Sequence, residues 1–283
     1  QTLTASNTLA DADGLGTISY QWRRGGVAID GATGSTYTLS QADVGATIMV
    51  MATYIDGHGT TESVLSGTTA KVANVNDSPS GSLSISGTAT QHQQLTATNT
   101  LADADGLGTI SYQWNRAGTA ISGATGSTYT LVQDDVDQTI TVTASYTDGQ
   151  GTAESVTSKA TSAVANVNDV PTGSLSISGV AQDNAQLTAS HTLVDPDGLG
   201  AIDYQWRRNG SLIPVAITNQ YVLTKCDIGA AITVSAQYTD GYGATESIAS
   251  SATSTVLPDS LSSKLLETSS TQSARDGPSL NAS

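Results

Sequence analysis

Hydrophobic and polar residues alternate along several short stretches of the chain. The clearest stretch runs from Thr139 to Tyr146, where threonine and serine alternate with isoleucine, valine, alanine and tyrosine. The stretch 110–115 alternates in the same way and carries Tyr112 and Trp114 on its apolar face. A period of two residues is typical of a half-buried strand, and no stretch has the apolar spacing of a helix. The sequence therefore predicts an all-β fold.

Further short strands are predicted on both sides of these two. In the middle of the chain, the predicted strands are 81–87, 95–101, 110–115, 119–121, 129–131, 139–146 and 153–165. Turn-forming segments such as 103–108 and 148–151 separate them, and these are rich in Asp and Gly. About seven short strands separated by turn signals indicate an antiparallel β-sandwich.

The whole pattern returns at a fixed interval of 92 residues. The segment 73–79 recurs as 165–171, and Trp22, Trp114 and Trp206 keep the same spacing. A period of this length is a domain rather than one turn of a solenoid. The predicted domains are residues 1–77, 78–169 and 170–257. The first is expected to lack its first strand, because 81–87 has no counterpart after Gln1.

The repeat ends near residue 257. Residues 258–283 are rich in Ser and Thr and show no strand pattern. Such a composition predicts a disordered tail. A stretch of non-native sequence is the alternative.

Charge and composition narrow the classes of function. The formal net charge is −15 at pH 7, whereas nucleic-acid binding needs a cationic surface. No apolar run approaches the roughly 18 residues of a membrane span. The single cysteine, Cys226, cannot form an internal disulfide. We therefore expect a monomeric chain that binds no nucleic acid and does not insert into membranes.

Catalytic motifs are missing from the sequence. His58, His92 and His191 occupy unrelated positions of the repeat, so they form no repeated constellation. There is no Gly-Xaa-Ser-Xaa-Gly elbow, phosphate loop or HEXXH motif. The tryptophans sit on alternating strands and fit core packing better than sugar stacking. We do not expect an enzyme.

Four recurring motifs carry a resemblance to a known family. They are Tyr-Gln-Trp at 20–22, 112–114 and 204–206, an Asp-Val/Ile-Gly/Asp motif at 43–45, 135–137 and 227–229, Tyr-Xaa-Asp-Gly at 54–57, 146–149 and 238–241, and the linker Asn-Val-Asn-Asp-Xaa-Pro. Over residues 1 to about 257, the chain resembles the immunoglobulin-like repeats of large bacterial RTX-type surface adhesins. The linker is similar to the calcium-binding linkers of cadherins and bacterial cadherin-like arrays. The chain departs from antibody-type domains in having no inter-sheet cysteines.

The resemblance implies three tandem immunoglobulin-like antiparallel β-sandwich domains that form an elongated rod. In that topology the loops after the second and sixth strands lie at the same pole as the incoming linker. Acidic and amide oxygens would therefore converge at each junction. The predicted metal ligands are Asn74, Asn76, Asp77, Asp103, Asp105, Asp148 and Glu154 at the first junction, and Asn166, Asn168, Asp169, Asp195, Asp197, Asp240 and Glu246 at the second.

Calcium suits such a site because Ca²⁺ prefers six to eight oxygen ligands, whereas zinc and copper prefer nitrogen or sulfur. The preceding domain could add Asp43, Asp134 or Asp135. The alternative is that the loops are plain turns, since Asp-Gly favours hairpins and Asp caps local backbone. In the first domain, the corresponding acids lack the upstream linker, so that site is expected to be incomplete.

The predicted function is that of a structural extender segment in a secreted adhesin at the bacterial cell surface, with junctions stiffened by Ca²⁺. Its partners would be neighbouring repeats of the same chain. One alternative is a module that binds a surface glycan or a host protein, for which Tyr242 is the one unusual loop aromatic. Another is a non-catalytic spacer of a large extracellular enzyme.

Overall fold

The structure is a computed structural model that describes residues 1–259. The predictions made for residues 260–283 lie outside the described residues. The described part is all-β, with twenty strands and three 3₁₀ helices of three residues each, Gln41–Asp43, Gln133–Asp135 and Lys225–Asp227. This confirms the predicted fold class. None of the helices found in residues 1–259 has the length and hydrophobicity needed to cross a bilayer.

The strands fall into three sets that follow the 92-residue interval, here called the first, second and third repeats. The first repeat contains β1 (Thr2–Thr4), β2 (Ser19–Arg24), β3 (Val27–Ala28), β4 (Thr36–Thr38), β5 (Ile48–Ile55) and β6 (Thr61–Leu65). The second contains β7 (Leu83–Ser86), β8 (Gln94–Asn99), β9 (Ser111–Arg116), β10 (Thr119–Ala120), β11 (Thr128–Thr130), β12 (Ile140–Thr147) and β13 (Ala153–Thr157). The third contains β14 (Leu175–Ser178), β15 (Gln186–His191), β16 (Asp203–Arg208), β17 (Ser211–Leu212), β18 (Gln220–Val222), β19 (Ile232–Thr239) and β20 (Thr245–Ala249).

Each repeat has two antiparallel sheets. In the second repeat the strand orders are β11-β8-β7 and β10-β9-β12-β13, and in the third they are β14-β15-β18 and β17-β16-β19-β20. The first repeat has β1-β4 and β3-β2-β5-β6. Its smaller sheet therefore has two strands where the others have three. Two sheets with these non-consecutive neighbours form an immunoglobulin-like sandwich.

The chain divides into two compact units. The first comprises Gln1–Ala89, Gln93–Leu131 and Gln138–Val164, and the second comprises Thr90–His92, Val132–Asp137 and the chain from Ala165 onward. The first unit thus holds β1 to β13, and the second holds β14 to β20. This division takes two short segments out of the second repeat, so the three predicted domain boundaries stay a prediction, as does the rod.

The core of each sandwich is built around its tryptophan. Trp114 and Trp206 are fully buried, as the alternation on β9 and β16 predicts. The Trp114 indole Nε1 donates to the Gly126 carbonyl at 2.9 Å, and its ring lies 5.8 Å from that of Tyr129. A buried indole needs such an acceptor because its N–H has lost water. The tryptophans therefore hold the core together, as expected.

The last strand of the second repeat is shorter than predicted. β13 ends at Thr157, whereas the sequence predicted a strand to residue 165. Beyond it, the backbone N–H groups of Ser158 and Thr161 still donate to carbonyls of β12, and that of Val164 donates to the carbonyl of Gln138, two residues before β12. These donors recur every third residue, whereas the donors of a regular antiparallel ladder recur every second residue. The chain therefore follows β12 beyond Thr157 without forming a regular strand.

A buried ion pair links the two sheets of the third repeat. Asp227 is fully buried and accepts hydrogen bonds from Arg208 Nε at 2.6 Å and the Tyr221 hydroxyl at 2.8 Å. The Thr224 backbone N–H donates to the same carboxylate at 2.8 Å. Burial opposes the charged form, but the bonds from Arg208 and Thr224 outweigh it and lower the pKa of Asp227.

The first repeat contains the same arrangement, with Arg24 Nε 2.7 Å from a fully buried Asp43. The prediction that Asp43 adds a ligand at the junction is therefore wrong, because its carboxylate points into its own repeat. Asp135 is also fully buried, and it accepts the Val132 backbone N–H at 2.8 Å.

Candidate cation sites at the repeat junctions

The first linker bonds to one loop and one strand of the second repeat. The backbone N–H of Asp77 donates to Asp105 Oδ2 at 2.7 Å, and Asn76 Nδ2 donates to Glu154 Oε1 at 2.7 Å. Gln41, from the first repeat, donates through Nε2 to Asp105 Oδ1 at 2.6 Å. The linker thus contacts the loop after the second strand, through Asp105, and the start of β13, through Glu154.

The second junction lies within the second unit and repeats these contacts. The Asp169 backbone N–H donates to Asp197 Oδ2 at 2.6 Å, and Gln133 Nε2 donates to Asp197 Oδ1 at 3.1 Å. Asn168 Nδ2 donates to Glu246 Oε1 at 2.9 Å. Because the same contacts recur at the same 92-residue interval, they are a regular feature of the repeat rather than an incidental contact.

Asp103 and Asp195 bond to tyrosine hydroxyls, whereas Asp105 and Asp197 bond to the linker. Each accepts a tyrosine hydroxyl at 2.6 Å, from Tyr146 and Tyr238 respectively. Burial, the hydrogen bond to Asp103 and the nearby charges of Asp103, Glu154 and Asp148 raise the pKa of Tyr146. These three acids are all predicted ligands of the first junction.

Asp148 and Asp240 each have one satisfied and one unsatisfied oxygen. Asp148 Oδ1 accepts the backbone N–H groups of Gln150 and Thr152 at 2.9 and 2.7 Å. Its Oδ2 is buried without a hydrogen-bond partner, and so is Asp240 Oδ2. Burial opposes ionisation of Asp148, but the backbone bonds, first that of Thr152, outweigh it and lower the pKa of the carboxyl. A charged carboxylate therefore presents a bare oxygen to this pole.

The two linker asparagines differ in their partners. Asn74 Oδ1 accepts Gln41 Nε2 at 3.3 Å, whereas Asn166 Oδ1 is buried without a partner. The second junction therefore has two unsatisfied oxygens among its predicted ligands, and the first has one. An unsatisfied buried acceptor is costly and calls for an occupant such as water or an ion.

The first repeat shows what the linker contributes. Asp13, which corresponds to Asp105, is exposed, whereas Asp105 is buried. The Asp11 carboxylate still accepts the Tyr54 hydroxyl at 2.8 Å, as Asp103 does from Tyr146. The tyrosine contact thus belongs to the sandwich itself, and burial of the second acid accompanies the incoming linker. The expectation of an incomplete metal site in the first repeat stays a prediction.

The predicted ligands meet only some of the requirements of a binding site for a hard cation. No group of three or more His, Cys, Asp or Glu side chains within residues 1–259 is arranged to hold a metal. The unsatisfied oxygens of Asp148, Asp240 and Asn166 are nevertheless the oxygen type that Ca²⁺ binds. Carboxylates such as Asp105 and Asp197 keep lone pairs beyond the N–H bonds that they accept. The turn bonds of Asp148 are those that the plain-turn alternative predicts, so each loop has both features.

Several residues of the junctions were missed in the sequence. Gln41 and Gln133 both donate to an acid of the following repeat, and Gln91 supports the second junction through Asp169. The signal was present, because Gln41 and Gln133 keep the 92-residue interval. A glutamine, however, does not show from sequence alone which neighbour it meets.

Tyr242 also belongs to the second junction. Its hydroxyl donates to Asp137 Oδ2 at 3.2 Å, across the boundary between the second and third repeats. Burial and the Asp137 carboxylate raise the pKa of this phenol. Tyr242 was the aromatic that the binding-module alternative relied on, and in the structure it contacts the neighbouring repeat.

No protein-family model and no curated protein matches the chain at a significant level. Among solved structures, it is similar to a Ca²⁺-stabilized adhesin that helps an Antarctic bacterium bind ice, at 13 % identity over 91 % of this chain and 68 % of that one, with a TM-score of 0.29. A tetra-tandem repeat from the extending region of a large adhesion protein is 17 % identical over 90 % of this chain and 70 % of that one, with a TM-score of 0.28. The ICAM-5 D1–D4 ectodomain fragment is 13 % identical over 91 % and 71 %, with a TM-score of 0.36. At these scores, the likenesses carry no weight for fold or function, and the fold rests on the strand orders above.

Proposed function

We propose that this chain is a structural extender segment of a secreted adhesin at the bacterial cell surface. The observation that supports the proposal most is the repeated closure of each linker onto the following repeat. The Asp77 and Asp169 backbone N–H groups donate to Asp105 and Asp197 in the same way at both junctions. Such bonds tie each linker to the repeat that follows it, which is what a spacer needs. The adhesin setting comes from the sequence resemblance.

We further propose that Ca²⁺ stiffens the junctions. The residues that would hold it are Asp148 and Asp105 at the first junction, and Asp240, Asp197 and Asn166 at the second. Bound Ca²⁺ supplies positive charge that offsets the clustered carboxylates. The chain itself holds Asp105 and Asp197 in place through the glutamine and linker N–H bonds. Extracellular modules bind calcium at roughly 10⁻⁴–10⁻³ M, so even weak sites would fill outside the cell.

The role is non-catalytic, and the partners are the neighbouring repeats of a monomeric chain. A ligand such as a surface glycan or a host protein would be contacted by other parts of the adhesin. Tyr242 is engaged with Asp137, so no observation on the described residues favours the binding-module alternative over the extender.

Thermal melting with Ca²⁺ and with a chelator tests the calcium part. We expect calcium to raise the melting temperature, and we expect Asp148→Asn and Asp240→Asn each to reduce the increase. Asp56→Asn is the matched control, because Asp56 occupies the same turn in the first repeat, which has no upstream linker. An unchanged wild-type melt would refute calcium binding. An equal reduction in the Asp56 variant would place the effect in the turn rather than in the junction.

A further inference from the structure

One buried carboxylate of the third repeat accepts no hydrogen bond from any residue within 1–259. Asp183 is 3 % exposed, and both of its carboxylate oxygens are buried without a hydrogen-bond partner. It is not among the predicted junction ligands, and it lies at the opposite end of its repeat from Asp195 and Asp240. Burying an uncompensated charge is strongly unfavourable, so the carboxylate calls for a counter-charge.

The second repeat shows what this position contacts. The backbone N–H of Gln91 donates to the Ala165 carbonyl at 2.9 Å, and that of Asp183 donates to the Leu257 carbonyl at 2.9 Å. Both pairs keep the 92-residue interval, since 183 − 91 = 92 and 257 − 165 = 92. The two side chains therefore leave equivalent points of the backbone.

Gln91 satisfies this position by itself. It is 1 % exposed, and its Nε2 donates to Gln133 Oε1 and to Asp169 Oδ2, both at 2.7 Å. Its Oε1 accepts the Val167 backbone N–H at 3.0 Å. The positive end of the amide thus lies between two oxygens, one of them a carboxylate oxygen of the linker.

In the third repeat an acid replaces this amide. Lys225 stands where Gln133 stands in the second repeat, but its side chain is exposed and makes no hydrogen bond to Asp183. A second acid, Asp259, lies on the adjoining segment and accepts Gln182 Nε2 at 3.3 Å. Position 183 therefore offers two buried oxygens to which no residue within 1–259 donates a hydrogen bond.

We propose that Asp183 is a ligand of a hard divalent cation, with Ca²⁺ as the fitting ion, bound at this end of the third repeat. The cation would take the place that the Gln91 Nε2 group has in the second repeat. Carboxylate and carbonyl oxygens are the ligands that Ca²⁺ prefers, and a bidentate carboxylate is common among them. The site does not depend on the junction sites, because it uses none of their residues.

Calorimetric titration of the 283-residue chain with CaCl₂ tests the proposal. We expect Asp183→Asn to lose one equivalent of bound calcium. Two controls in the same repeat are expected to keep it: Asp203→Asn, which removes an exposed acid, and Lys225→Ala. Calcium uptake that is unchanged in the Asp183 variant overturns the proposal, as does a wild-type chain that binds no calcium.

Thermal melting supplies a second readout that does not depend on stoichiometry. In chelator, Asp183→Asn should melt at or above the wild-type temperature, because it removes an uncompensated buried charge. In calcium, the wild type should instead melt at a higher temperature than Asp183→Asn. If Lys225→Ala and Asp183→Asn instead lose stability equally in chelator, the partner of Asp183 is the lysine and the proposal fails.

The junction variants separate this proposal from the proposed function. If Asp148→Asn and Asp240→Asn lose calcium uptake but Asp183→Asn keeps it, the Asp183 site is overturned and the junction sites remain. Uptake lost only in Asp183→Asn supports the Asp183 site and removes calcium from the junctions.

Discussion

Removing the Asp227 carboxylate should strongly destabilise the third repeat. The substitution Asp227→Ala deletes the acceptor of Arg208 Nε at 2.6 Å, of the Tyr221 hydroxyl at 2.8 Å and of the Thr224 backbone N–H at 2.8 Å. It leaves a guanidinium and a phenol that were held by a fully buried partner. The loss therefore includes the cost of unpaired polar groups as well as the lost bonds.

The expected magnitude follows from the burial of the pair. Breaking a buried ion pair by removing one partner costs about 3–5 kcal/mol. The Arg208 side chain is 33 % exposed, so water partly solvates it once the pair is broken. We therefore expect the lower end, about 3 kcal/mol, in the free energy of unfolding of the third repeat. At about 1.4 kcal/mol per tenfold, this corresponds to roughly a hundredfold change in the opening equilibrium.

Hydrogen exchange followed by mass spectrometry measures this locally. Peptides from β19 should exchange about a hundredfold faster in Asp227→Ala if exchange follows the opening equilibrium. Peptides from β5, in the other unit, should not change. Asp203→Ala is the matched control, because it removes an exposed acid on β16 and should stay within about 0.5 kcal/mol of wild type. Acceleration of β19 by less than about fivefold would refute the reasoning, since it would put the ion pair in the range of exposed pairs.

Three further predictions follow from the same contacts. Because the pKa of Asp227 is lowered in the folded state, its contribution is present above the unfolded pKa of about 3.9 and is lost as pH falls through the folded value; acid melts should show this loss in wild type and not in Asp227→Asn. Tyr146→Phe removes the 2.6 Å bond to Asp103 and should cost about 1–3 kcal/mol in urea unfolding, whereas Tyr20→Phe, whose hydroxyl accepts from an exposed Asn7, should cost less. Gln133→Ala leaves Asp197 Oδ1 and Gln91 Nε2 each without one partner and should cost about 1–3 kcal/mol, which would be measured by exchange in β19; no change there would show that the glutamine contact is dispensable.

Much of the fold could be predicted because alternation and burial coincide. The alternation in β9 and β12 placed Trp114 and Val142 in the core, where both are fully buried. The prediction failed after Thr157, because the chain still bonds to β12 there but with donors only at every third residue, so no regular strand forms. Side-chain alternation reports which face is buried, but it does not report whether the backbone is regularly paired.

The junction loops could be predicted because topology alone brings them to one pole. What the sequence could not show is which acid meets which donor. Asp43 and Asp105 look alike in sequence, yet one pairs with Arg24 inside its repeat and the other accepts Gln41 and the linker. The recurrence of arginine at 24, 116 and 208 was an available signal for the first case. For the second, only coordinates show where the glutamine amide lies.

Small-angle X-ray scattering of the chain in millimolar calcium and in excess chelator is the most direct test of the extender proposal. If calcium holds the junctions, the maximum dimension should be longer and the distance distribution narrower with calcium than with chelator. The difference should disappear in a variant carrying both Asp148→Asn and Asp240→Asn. Identical scattering curves under the two conditions would contradict calcium-stiffened junctions, and a compact particle under both would contradict the extender role itself.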